Sequence, residues 1–210
     1  EWYEKSAEQG HSRGQCNMGY MYEIGKGVKQ DYAKAVEWYE KSALQGNSCG
    51  QCNLGYMYEH GKGVEQDDAK AVEWYAKSAE QGYSRGQNNL GCMYEHGKGV
   101  EQNYAKAVEW YEKAAEQGNS IGQNNLGCMY EFGKGVEQDD TRAAEWYAKS
   151  AEQGYSRGQC NLGYMYEFGK GVEQDDTKAV EWYAKAAEQG YSRGQCNLGY
   201  MYEFGKGVEQ

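Results

Sequence analysis

Proline is absent from all 210 residues, so the chain has no proline-stiffened linker of the sort that separates domains. Histidine is scarce. His60 and His96 hold equivalent places one repeat spacing apart, His11 stands alone, and no nearby cysteine pair completes a four-ligand set, so no metal is expected. No apolar run approaches the roughly 20 residues of a bilayer-spanning helix, which argues against direct membrane insertion and leaves localisation open. Basic charge is in the minority, with 22 Lys and Arg against 32 Asp and Glu for a net charge of −10. Although Arg13, Arg85, Arg157 and Arg193 recur at one position, no basic stripe accumulates to offset phosphate repulsion, and nucleic acid is not an expected partner. A basic peptide suits the charge balance better.

Catalytic motifs are missing as well. The glycines of Gly61-Lys62-Gly63 and its copies follow a helix instead of opening one, and the Gly-x-x-x-x-Gly-Lys-[Ser/Thr] phosphate loop is absent. No serine is paired by repeated spacing with His and Asp, and carboxylates such as Glu37 and Glu40 fall on a solvated helix face. No catalytic residue and no cofactor is expected, and the chain does not read as an enzyme.

What is present is a repeat. Trp2, Trp38, Trp74, Trp110, Trp146 and Trp182 are always 36 residues apart, the length of one helical hairpin. With Asp31 as a boundary the full units are 31–66, 67–102, 103–138, 139–174 and 175–210, preceded by a partial unit 1–30 that lacks the six residues matching Asp31–Val36. No composition shift interrupts them, so 1–210 reads as one continuous array. Neither end resembles a polar cap. The chain begins Glu1-Trp2-Tyr3 in mid-helix and stops at Gln210 in ordinary repeat sequence, which suits either a piece of a longer array or chains that stack end to end through Trp2, Tyr3, Tyr200 and Tyr202.

Within unit 31–66, Asp31 can cap a first helix from Tyr32 to Leu44, where Ala35, Trp38, Tyr39 and Ser42-Ala43 recur at spacings of three and four; Gly46 closes it. Asn47 or Ser48 can cap a second helix of about three turns that carries Cys52, Leu54-Gly55, Tyr56 and Tyr58 and stops at Gly61. Val64 can pin the following loop to the core. Gly55 sits inside the second helix, where glycine costs roughly 1 kcal/mol against alanine. Its recurrence as Gly19, Gly91, Gly127, Gly163 and Gly199 predicts close helix approach, with a neighbouring Trp or Tyr lying against the bare backbone. Trp38, Tyr39 and Tyr58, with copies such as Trp74, Trp110, Trp146 and Trp182, read as packing residues and not as a ligand cage, since every unit has them.

These residues resemble the Sel1-like repeat family, relatives of the tetratricopeptide repeats. The resemblance rests on Lys70-Ala71, Trp74-Tyr75, Ala79-Glu80-Gln81-Gly82, Asn89-Leu90-Gly91, Met93-Tyr94 and Gly97-Lys98-Gly99-Val100, and it runs through the whole chain. It implies an all-α, right-handed superhelix of antiparallel helix pairs acting as an adaptor or scaffold for protein partners. It also implies that the first helices line the inner curve, placing Lys70, Glu73 and Lys77 of one unit and Lys106, Glu109 and Lys113 of the next before a bound segment. The alternative reading of these six is a solvated face of i,i+3 and i,i+4 pairs. The loop departs from the family pattern in carrying Glu65, Glu101, Glu137, Glu173 or Lys29 where proline is common.

Seven cysteines remain: Cys16, Cys49, Cys52, Cys92, Cys128, Cys160 and Cys196. The cysteine-rich members of that family tie the two helices of a pair by a disulfide that would need Cys at 43 and 51, where this chain has Ala43 and Gln51. Cys16, Cys52, Cys160 and Cys196 share one second-helix position and Cys92 and Cys128 another, as small core residues do. Cys49-Gly50-Gln51-Cys52 is a single Cys-x-x-Cys near a helix N-terminus, at a position filled elsewhere by Arg85, Ile121, Arg157 and Arg193, and a chance accumulation on a variable site accounts for it better than redox chemistry. Two functions fit this chain. One is a non-catalytic scaffold binding proteins; the other is a structural protein that self-associates into filaments.

Overall fold

The structure, a computed structural model, describes residues 2–208; Glu1, Glu209 and Gln210, and with them the outermost positions of the ends read above as uncapped, lie outside the described residues. Twelve α-helices and no strand are found among the described residues. The first unit, Glu1–Trp110, holds α1 (Trp2–Glu8), α2 (Ser12–Ile24), α3 (Tyr32–Leu44), α4 (Ser48–His60), α5 (Asp68–Glu80) and α6 (Ser84–His96). The second, Tyr111–Gln210, holds α8 (Ser120–Phe132), α9 (Asp140–Glu152), α10 (Ser156–Phe168), α11 (Asp176–Glu188) and α12 (Ser192–Glu203), and the division falls inside α7 (Tyr104–Glu116). In each unit every helix packs on the one before it, and successive second helices also touch: α2 with α4 and α4 with α6 in the first unit, α8 with α10 and α10 with α12 in the second. This is solenoid packing of helix pairs, as the 36-residue period predicts.

The helix boundaries follow from capping. The Asp31, Asp67, Asp139 and Asp175 side chains accept from the backbone N–H three residues on at 3.0–3.1 Å, and Asn103 does the same at 2.9 Å. Each such cap contributes about 0.5–2 kcal/mol. At the second helices Asn47, of the two candidates, is the cap, accepting from Gly50 N–H at 2.9 Å, and Asn119 accepts from Gly122 at 2.8 Å. Where His11, Tyr83, Tyr155 or Tyr191 stands at that position there is no side-chain cap. The tyrosines give up local helix stability and put a ring where an amide would have been. Gly61 ends α4 at φ 61°, a left-handed conformation that glycine alone adopts cheaply.

The core is built between repeats. Tyr39, Tyr75, Tyr111, Tyr147 and Tyr183, each following a repeat tryptophan, are fully buried. The expected close approach is made by these rings: a Cβ added at Gly55 would lie 2.8 Å from the Tyr75 ring, and one at Gly127 would lie 2.7 Å from Tyr147. Trp38, Trp74, Trp110, Trp146 and Trp182 are half-buried. Trp74 packs on the cluster of Ala35, Tyr39, Leu54 and Met57, and Trp110 on that of Ala71, Tyr75 and Leu90. Lysines cover their outer faces, with Nζ of Lys77 4.1 Å from the Trp74 ring and Nζ of Lys149 3.8 Å from that of Trp146. Polar rungs join neighbouring repeats: Ser42 Oγ donates to Ser12 O at 2.7 Å and Gln45 to Gln15 Oε1 at 2.7 Å, with copies at Ser150–Ser120 and Gln153–Gln123. Val64 is half-buried against the first cluster, as its loop-pinning role requires.

Gly199 differs from its equivalents, since nothing lies within 4 Å of a Cβ placed there. Gly127→Ala therefore destabilises by about 1–3 kcal/mol through overpacking on Tyr147, while Gly199→Ala, in the same register, is neutral or gains up to about 1 kcal/mol of helix propensity. Urea midpoints of the two variants check this. Equal effects would mean that ring contact does not explain the recurring glycine.

Candidate interaction groove

The second unit carries a groove of about 430 Å³. Its floor comes from α8 and α9, where Cys128, Glu131 and Tyr147 meet, and its walls from α10 and α12, which contribute Arg157, Asn161, Tyr164, Tyr191 and Arg193, with Phe132 and Lys170 at the edges. Tyr191 is the residue standing in the N-cap position of α12 without capping it.

The floor is a closed polar unit. Glu131 is 8% exposed; its Oε2 accepts from Tyr147 OH at 2.6 Å, and its Oε1 lies 3.8 Å from Lys170 Nζ. Tyr147 OH also lies 3.2 Å from Cys128 Sγ, and Lys170 Nζ sits 4.9 Å from the Tyr164 ring centre. Burial above all, then the neighbouring Cys128 and Glu131, raises the Tyr147 phenol well above its ordinary value, so it stays a donor. The unit recurs as Tyr39–Glu23 at 2.6 Å, Tyr75–Glu59 at 2.7 Å with Lys98 at 3.7 Å, and Tyr183–Glu167 at 2.8 Å with Lys206 at 3.4 Å. It is a structural rung shared by these four repeat interfaces. Burying the carboxylate between a hydroxyl and an ammonium offsets a desolvation cost that would otherwise be several kcal/mol.

The walls are different. Arg157 and Arg193 are exposed, and among the described residues neither has a carboxylate partner. Burial works against the Arg157 charge, but Tyr155 and Tyr191 more than offset it and hold the guanidinium above its ordinary value. With Glu131 already satisfied, the unbalanced charge facing the groove is positive, set among the rings of Tyr164 and Tyr191. Such a surface holds and orients.

The six residues expected before a bound segment lie elsewhere. Lys70, Glu73 and Lys77 are exposed on α5, and Lys106, Glu109 and Lys113 are exposed on α7. Lys70 pairs with its capping Asp67 at 3.3 Å and sits over Tyr58; Lys77 covers Trp74 and Lys106 covers Tyr94. Lys70 also lines a recess with Tyr58, Val64 and Asp67 that recurs at Tyr130–Arg142 and Tyr166–Lys178. There too the cation is held by the capping aspartate, at 3.5 Å for Arg142–Asp139 and 3.3 Å for Lys178–Asp175. Sequence reasoning missed Arg157, Arg193 and Tyr191 as a group, although the recurrence of arginine at that position was the available signal. Trp2, Tyr3, Tyr200 and Tyr202 are 81%, 47%, 44% and 61% exposed. No described helix is long and apolar enough to cross a membrane, and no cluster of His, Cys, Asp and Glu suited to a metal ion occurs among the described residues.

Comparison with known proteins identifies the repeat. The family profile described as Sel1 repeat matches residues 1–11, 12–47, 50–83, 84–119, 120–155, 156–191 and 192–210. No curated protein matches significantly. Among solved structures the chain is similar to a protective antigen of uropathogenic Escherichia coli strains displaying an SLR fold, at 48% identity and a TM-score of 0.85 over 97% of this chain and 44% of the antigen. It thus spans less than half of that protein's length. It is also similar to a Sel1 repeat protein from Oxalobacter formigenes, at 34% identity and a TM-score of 0.88 over 96% of this chain and 80% of that one, and to Helicobacter pylori cysteine rich protein B, at 30% identity and a TM-score of 0.51 over 63% of this chain and 95% of that one. Sel1 repeat proteins are in general protein-interaction scaffolds and not enzymes. With all-α helix pairs of 36 residues and a repeat match covering nearly its whole length, the chain belongs to the Sel1 repeat family.

Proposed function

We propose that this chain is a non-catalytic scaffold whose second-unit groove docks an extended protein segment bearing an acidic side chain or a terminal carboxylate. The observation that carries this reading is the pair Arg157 and Arg193, two guanidiniums without carboxylate partners among the described residues, beside the Tyr164 and Tyr191 rings. The net charge of −10 suits a basic partner at long range. At contact distance, inside a screening length of about 8 Å, the local cations decide which sign is accepted. Arginine suits the task because its planar fork meets a carboxylate with two hydrogen bonds.

The test is sedimentation of the whole chain with labelled peptides, one rich in Asp, Glu and aromatic residues and one rich in Lys. The acidic peptide binds, its affinity falls with added salt, and Arg157→Glu with Arg193→Glu weakens it about 10- to 100-fold, which corresponds to about 1.4–2.8 kcal/mol. Preference for the lysine peptide would overturn the assignment of the groove. Exposure of Trp2, Tyr3, Tyr200 and Tyr202 supports the competing reading, self-association. Particle mass that grows with concentration without peptide, and that falls on Trp2→Ala with Tyr202→Ala, would favour it.

A further inference from the structure

We propose that Cys16 and Cys49 form a redox-active dithiol site that closes to a disulfide joining α2 to α4. The two Sγ atoms lie 3.0 Å apart, with the Cys16 thiol donating to Cys49, and Asn53 Nδ2 is 3.7 Å from each sulfur. An approach of about 1 Å brings the sulfurs to the roughly 2.05 Å of a disulfide bond. Cys16 is buried, whereas Cys49 is only half-buried in the first turn of α4, so Cys49 is the sulfur a small reagent reaches.

The repeat framework explains why this pair exists at one place. Cys16 and Cys49 stand 33 residues apart at fixed positions of successive second helices, and the pairs that hold the same two positions in the other repeats are Cys52 with Arg85, Asn88 with Ile121, Asn124 with Arg157 and Cys160 with Arg193. Only at Cys16 and Cys49 do thiols stand at both positions. The Cys-x-x-Cys motif suggested a different partner for Cys49, namely Cys52. That thiol is fully buried, and the amide facing it is Asn89 Nδ2 at 3.7 Å, on the following repeat.

The electrostatics assign the two roles. The hydrogen bond from Cys16 is the largest influence holding the Cys49 thiol below its ordinary value, and Tyr83 and Arg85 help against the opposing effect of burial. The same hydrogen bond, followed by burial, pushes Cys16 up. The accessible sulfur becomes the thiolate and the buried one keeps the proton. Tyr83 is one of the tyrosines that occupies an N-cap position without capping.

The oxidant class is a low-molecular-weight disulfide such as oxidised glutathione. The Cys49 thiolate, its proton already released to solvent, attacks one glutathione sulfur, expels a glutathione thiolate and leaves a mixed disulfide. Cys16 then loses its proton and attacks Cys49 Sγ, expelling the second thiolate. Two protein thiols are oxidised, one disulfide is reduced, and the two expelled thiolates take up the two protons. The product ties successive second helices across a loop of 33 residues, which raises the melting temperature by several degrees.

The experiment equilibrates the full chain, natively folded, in glutathione buffers of increasing oxidation, followed by alkylation, intact mass and tryptic mapping. The alkylated count is expected to fall by two from the seven cysteines of the sequence, with peptide 14–26 joined to peptide 42–62. Cys52→Ser keeps the link. Cys49→Ile, which installs the residue found at Ile121 and so preserves the packing of the repeat, abolishes it. A bond closed within peptide 42–62, or seven thiols still alkylated in the most oxidising buffer, would overturn the proposal.

Discussion

Above about pH 10 this protein loses its helices in a single steep transition that coincides with ionisation of its buried tyrosines. Tyr39, Tyr75, Tyr147 and Tyr183 are all raised well above the ordinary phenol value of about 10, in each case by burial first. The second cause is Glu23 or Glu167 for Tyr39 and Tyr183, Glu59 for Tyr75, and Cys128 ahead of Glu131 for Tyr147. A phenol raised in the fold binds its proton more tightly there than in the unfolded chain. Its contribution is complete below the unfolded value of about 10 and is lost as the pH climbs from there toward the folded value. Each such tyrosine removes about 1.4 kcal/mol per pH unit across that window, and four together about 5 kcal/mol. A domain with a typical stability of about 5–15 kcal/mol exhausts it within one to three units. Tyrosinate absorbance and far-ultraviolet circular dichroism, recorded on the same samples, check the coincidence. Gradual ionisation of all tyrosines with the helices intact would show that the phenols are not sealed from solvent.

Replacing Tyr147 with alanine costs about 3–5 kcal/mol, the range for deleting a large buried ring. The site has several reasons to fall in this range. The ring is fully buried, lies on the bare backbone of Gly127, and its hydroxyl satisfies a carboxylate that is 8% exposed. Tyr147→Phe separates these effects, because it keeps the ring contact and deprives Glu131 of its 2.6 Å donor, at about 1–3 kcal/mol. The ring contact itself is tested by combination. Gly127→Ala, destabilising alone, is largely neutral once Tyr147→Ala has opened the space, which gives a coupling of about 1 kcal/mol or more between the two positions. Additive costs in that cycle would show that the glycine and the tyrosine do not share an interface. Because Tyr147 also floors the groove, both Tyr147 variants should weaken peptide binding as well.

The groove and the dithiol share a feature that local reading overlooks. At Tyr83, Tyr155 and Tyr191 an N-cap asparagine is replaced by a tyrosine that does not cap, a change that looks unfavourable within its own helix. Its effect is on the neighbouring repeat. Tyr191 stands beside Arg157 at the groove wall, and Tyr83 reaches Cys49. A weakened cap in one helix thus positions a hydroxyl for the second helix of the preceding repeat.

The 36-residue period, the helix boundaries near Asp31, Leu44, Asn47 and Gly61, and the all-α helix-pair fold were legible in the linear sequence, because caps, left-handed glycines and apolar spacing act within one turn of helix. So was the need for a ring beside Gly55 and its equivalents, since a glycine kept in a helix interior needs an offsetting contact. Which ring it is could not be read, because Trp74 and Tyr75 are adjacent in sequence and only the packing angle sends the tyrosine inward and leaves the tryptophan half-covered by Lys77. The same holds for chemistry. Spacing along the chain brings Cys49 toward Cys52. Stacking one repeat on the next sets Cys49 against Cys16 instead, and brings Arg157 and Arg193 to one groove beside Tyr164 and Tyr191. What repeats was decided by local interactions within each copy, and what each copy faces was decided by the tertiary stack, because contacts 16 to 37 residues apart depend on how helices meet and not on which residues follow one another.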